Sequence, residues 1–85
     1  MAAAPDRTLV VNRVKRAQGQ LAGVLRMIEE GREVQEVVNQ LKAVTRALDR
    51  AGFAIIAMEL RAAIAEGRVE DDELERLEAL YLSLA

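Results

Sequence analysis

Between residues 34 and 62 apolar side chains recur at intervals of three and four without a break. They are Val34, Val37, Leu41, Val44, Leu48, Ala51, Ile55, Met58 and Ala62. That spacing keeps one side of a helix apolar and is incompatible with the two-residue alternation of a strand. The positions predict a rod over about residues 33–66, roughly 50 Å long at 1.5 Å per residue. A chain of 85 residues that commits so much of itself to one helix has little left with which to surround it.

The same reading predicts two more helices. Pro5, Asp6 and Thr8 form a start signal, with Asp6 or Thr8 as the cap, and Val10, Val14, Ala17, Leu21, Val24 and Ile28 continue the seam to about residue 30. Gly31 follows as a left-handed terminator, and Gly67 stops the long helix in the same way. A short helix over about 70–83 is capped by Asp71 or Asp72 and seamed by Leu74, Leu77, Tyr81 and Leu84. The fold class expected is all-α: an antiparallel hairpin of helices one and two plus a short third helix, over residues 1–85 as a single domain. Gly19 and Gly23, four apart on helix one, are expected where that helix crosses helix two closely, the alternative being close approach to a ligand or DNA phosphate.

Burial arithmetic argues for association. A chain of 9.4 kDa buries about 5,000 Å² of apolar surface as a compact globule, worth roughly 125 kcal/mol. Ordering its backbone and side chains costs about the same. The chain has no cysteine for a disulfide and no histidine for a zinc site, so oligomerisation is the remedy left. Residues 51–58 are apolar throughout, apart from Gly52. Phe53, Ile56, Leu60 and Ile64 form a second stripe, expected to face another subunit, the alternative being that the third helix folds back over it within one subunit. Two hairpins side by side make a dimeric four-helix bundle, and dimers can stack to a tetramer.

Composition excludes much else. Without Cys or His, thiol nucleophiles, imidazole bases and soft metal ligands are absent. Thr8, Thr45 and Ser83 have no activating base, no phosphate-binding glycine loop exists, and no enzyme activity is expected. No cofactor is expected either. No apolar run reaches the ~18 residues of a membrane span, and residues 1–5 lack the basic start and apolar core of a signal peptide. A cytoplasmic protein without membrane contact follows.

A formal net charge of −2 conceals an asymmetry. Residues 1–28 carry net +4 and residues 66–85 net −5. Arg13 and Arg16 share one side of helix one, with Gln20 following and Lys15 beside them; Lys42, Arg46 and Arg50 recur every four residues on helix two. Antiparallel packing brings the two groups together as a phosphate-attracting patch that carries no sequence information by itself.

Residues 11–31, Val-Asn-Arg-Val-Lys-Arg-Ala-Gln-Gly-Gln-Leu-Ala-Gly-Val-Leu-Arg-Met-Ile-Glu-Glu-Gly, resemble the first helix of the copper-sensitive operon repressor family, which includes nickel-, formaldehyde- and persulfide-responsive repressors. The Asn-Arg, Gly-Gln and Gly-x-x-Arg-Met-Ile-Glu elements carry the likeness. Residues 37–50 and 59–61 resemble its second helix, and the likeness covers roughly residues 9–80. The resemblance implies three-helix subunits forming a dimer, usually paired into a tetramer. It also implies repression by binding double-stranded DNA without a helix-turn-helix, with effector binding releasing the operator. Arg13 and Arg50 match DNA-contacting arginines; Lys15, Arg16 and Arg46 lie nearby. The family's metal sensors use a Cys early in helix two and, from another subunit, a His and a second Cys four residues later. Those positions are Val34, Glu59 and Ala63 here. With no soft donor among them, Cu(I) and persulfide sensing are not expected. Val34 and Ala63 read as apolar packing, and Glu59 as a surface pair with Arg61. The reading expected is a repressor without the metal or thiol switch, with an unknown small-molecule effector as a further partner. The alternative is a helical interaction module that has lost DNA binding or joins a mixed oligomer.

Overall fold

The computed structural model describes the backbone of residues 3–85 and the side chains from Arg7 onward. Among these residues there are three helices: α1 (Ala3–Glu29), α2 (Val34–Ala65) and α3 (Asp71–Leu84). Both turns follow from a glycine in the left-handed region. Gly31 and Gly67 each adopt φ of 71°, a conformation that disfavours a Cβ. After α1, the N–H of Gly31 donates to the carbonyl of Ile28 and that of Arg32 to Met27. After α2, Gly67 donates to Ile64 and Arg68 to Ala63. These paired bonds are the Schellman arrangement, which satisfies carbonyls that a helix end otherwise leaves open.

The helix starts differ from expectation. α1 begins at Ala3, upstream of both Asp6 and Thr8, so neither is its cap; the side chains of residues 1–6 lie outside those described. α3 takes Glu70 as its N-cap residue, without a side-chain cap bond, and Asp71 and Asp72 stand inside the first turn. Their charges act on the helix dipole rather than on the cap hydrogen bond.

α1 and α2 pack as an antiparallel hairpin, and α3 returns along α2 without touching α1 among the described residues. The Cα envelope measures 53 × 26 × 11 Å, a plate rather than a globule. Its core is correspondingly small: Ala17 and Val24 from α1, Val44, Ala51 and Ala63 from α2, and Leu77 from α3 are buried.

This packing divides each seam read from the sequence into two rows of seven-residue spacing. In α1, Val10, Ala17 and Val24 turn toward α2, whereas Val14, Leu21 and Ile28 stay exposed. In α2, Val37, Val44, Ala51 and Met58 turn inward, whereas Val34, Leu41, Leu48 and Ile55 stay exposed. At about 100° per residue the rows of one helix stand only 40–60° apart. One neighbouring helix covers the first row and leaves the second to solvent.

The second α2 stripe has the opposite fate. α3 of the same chain lies over much of it. Ile56 and Leu60 meet Leu74, Leu77 and Tyr81 across the α2–α3 groove. The rings of Phe53 and Tyr81 lie 5.0 Å apart at 47°, a favourable tilted aromatic pair. Ile64 remains exposed. The glycines also exchange roles. A Cβ on Gly19 or Gly23 meets nothing within 4 Å, so neither marks a tight crossing with α2. Gly52 does mark a close approach, since a Cβ there falls 2.6 Å from Leu84 Cδ1.

Candidate nucleic-acid interface

The hairpin register brings the two arginine groups face to face. On α1, Arg13, Arg16 and Gln20 lie to one side of the buried Ala17–Val24 line, while Val14 and Leu21 lie to the other. On α2, Arg46 and Arg50 lie on the corresponding side of Val44 and Ala51, opposite Leu41 and Leu48. The plate therefore has a basic face and an apolar face.

On the basic face, Arg13, Arg16, Arg46 and Arg50 line a groove of about 420 Å³, with Gln20 among them. Its remaining lining is Ala43 and Ala47 of α2, whose short side chains leave the space between the helices open. Arg13 spans the hairpin by donating from Nη1 to the main-chain carbonyl of Arg50 at 3.4 Å. No carboxylate lines the groove, and no ion pair among the described residues involves these four arginines.

Lys15 does not belong to the groove. It stands about 160° around α1 from the Ala17 row, and Lys42 has the equivalent place on α2. Gln20, which follows Arg13 and Arg16 on the same side of the helix, does line the groove. Its Oε1 is enclosed and without a partner.

The family's sensor positions sit elsewhere. Val34 is 76% exposed at the start of α2 and Ala63 is fully buried near its end. Twenty-nine residues of one helix separate them, about 43 Å, so they do not meet within one chain. Glu59 is engaged within its own chain: its Oε1 lies 3.8 Å from Arg68 and 3.9 Å from Arg76. Arg68 reaches on to Glu66 at 2.7 Å and Glu73 at 3.7 Å, and Arg76 pairs with Glu73 at 2.7 Å. This network joins the end of α2, the linker and the start of α3. The hydrogen bond from Arg76, followed by the charges of Arg76 and Arg68, holds the Glu73 carboxyl below its ordinary range. The same partnerships raise Arg68, chiefly through Glu66, and Arg76, chiefly through Glu73.

A thiophilic metal does not fit these residues. Val34 and Ala63 offer no side-chain donor atom, and Glu59 offers a single hard carboxylate whose Oε1 already faces two guanidinium groups. No group of three or more acidic side chains among the described residues is placed to hold a metal ion. No described helix is long and apolar enough to cross a membrane.

No curated protein and no solved structure matches the chain. The family model described as metal-sensitive transcriptional repressor, by contrast, matches residues 6–83. The three-helix architecture agrees with that match over nearly the whole sequence, and the chain belongs to the metal-sensitive transcriptional repressor family.

Proposed function

We propose that this chain is a DNA-binding repressor that operates without the metal or thiol switch suggested by its family. The observation that carries the reading is the groove in which Arg13, Arg16, Arg46 and Arg50 meet from two helices with no carboxylate among them. Guanidinium groups pair with phosphate in fork geometry and stay charged at any physiological pH. Such contacts position the protein on the duplex, and sequence preference then comes through DNA shape.

Self-association belongs to the same proposal. Val14, Leu21, Leu25 and Ile28 of α1 and Leu41, Leu48 and Ile55 of α2 are exposed on the face opposite the arginines. Two plates joined through these rows form a four-helix bundle with both basic grooves outward. A pair of grooves doubles the phosphate contacts, and stacking of two such dimers gives a tetramer. In this reading the protein works in the cytoplasm, where its operator lies.

The test is a gel shift with DNA from upstream of the protein's own coding region, over a range of salt, with light scattering for mass. Binding should weaken steeply with salt. Each phosphate contact removed should flatten the log–log slope by about 0.9, so Arg13→Ala/Arg50→Ala should bind weakly and respond less to salt. Equal binding by that variant, or no shift at low salt, overturns the reading. Absent DNA affinity together with a co-purifying related subunit would identify an interaction module instead.

A further inference from the structure

We infer that the arginine groove is also a binding site for a soluble polyphosphate, and that such a ligand regulates the protein by competing with DNA for the same groups. The regulatory part rests on the repressor reading; the binding part stands on the groove alone.

The side-chain groups that the groove presents are donors. Four arginines line it, Arg13 and Arg16 from α1 and Arg46 and Arg50 from α2. The fifth polar side chain, Gln20, has its carboxamide oxygen enclosed, which leaves the amide Nε2, a donor, as the end available to the groove. A lining with only donors selects a ligand rich in acceptor oxygens and negative charge. Shape narrows the choice further. The arginines stand on both walls of a concavity of about 420 Å³, within the size range of small-ligand sites. A ligand with several linked phosphoryl groups offers acceptor oxygens to arginines of both helices at once. A single small anion engages one wall. The four positive charges have no acidic partner among the described residues, so a multivalent anion relieves repulsion that the fold itself leaves standing.

The mode of control follows from what the family's sensor positions have become. With no side-chain donor at Val34 or Ala63 and Glu59 held by Arg68 and Arg76, effector binding has no route through those residues. A ligand seated in the groove needs no route, because it occupies the phosphate contacts directly.

The experiment titrates the full-length protein with inorganic triphosphate by calorimetry at fixed ionic strength, with sulfate as the single-anion comparison. Saturable binding is expected for triphosphate and not for sulfate. Gln20→Leu keeps every charge and should weaken triphosphate by about tenfold through loss of one charge-assisted hydrogen bond. Arg16→Gln/Arg46→Gln should abolish it, whereas Arg7→Gln/Arg26→Gln, which removes the same charge outside the groove, should leave it unchanged. Equal loss in both double variants, or unchanged binding by Gln20→Leu, shows attraction by net charge only and overturns the inference. A shifted DNA band released by triphosphate at constant ionic strength supports the regulatory step. Saturable triphosphate binding without any DNA shift refutes the repressor reading and leaves the site standing. A DNA shift without saturable triphosphate binding does the reverse.

Discussion

Replacing both Gly19 and Gly23 by alanine should stabilise the protein, because each glycine lies inside α1 and a methyl group at either position meets nothing within 4 Å. A glycine in a helix interior is less favourable than alanine by about 0.8–1.0 kcal/mol. Two methyl groups that strain no neighbour should therefore contribute about 2 kcal/mol together. For a chain of this size 1 kcal/mol moves the midpoint of thermal unfolding by roughly 4–8 °C, so the double variant should melt about 8–16 °C higher. Thermal and urea unfolding followed by circular dichroism at one fixed protein concentration measures it. The urea midpoint should rise with its slope unchanged. Gly52→Ala supplies the internal contrast, since its Cβ drives Leu84 aside and should gain less than either α1 variant. A double variant that melts lower and also loses mass in light scattering would refute the reasoning. It would show that Gly19 and Gly23 lie beneath another subunit.

Leu77 is the one α3 residue that is buried, so Leu77→Ala should cost about 2–5 kcal/mol and release α3 from α2; exchange of α3 amides faster than those of α1 would report it. Because the Glu73 carboxyl is held below its ordinary value of 4.5, its pairing with Arg76 and Arg68 stabilises the folded state above that pH and is lost as pH falls through the lowered value. Acid unfolding of Glu73→Gln should consequently be less steep below about pH 4.5, with Glu59 and Glu66 the other carboxylates of the network. Val34→Cys/Glu59→His/Ala63→Cys should acquire tight Cu(I) binding that the parent lacks, read by competition with a chromophoric chelator. Failure of the triple variant to bind would mean that subunits do not bring those positions together.

The elements themselves were legible. Three-and-four spacing marks each helix, and Gly31 and Gly67 end α1 and α2 where expected, because helix periodicity and left-handed termination are local properties of the backbone. The arginine groups were also legible, since residues three or four apart share a helix side whatever the helix packs against. Tertiary structure decided the rest. Periodicity fixes angles around a helix's own axis and leaves open which neighbour stands at each angle. Val14 and Leu21 are open and Ala17 and Val24 covered because α2 lies on one side only of α1; Ile56 and Leu60 are covered because α3 returns along α2. Lys15 falls outside the groove for the same reason. Glu59 finds Arg68 and Arg76 only because a three-dimensional turn carries α3 back beside it.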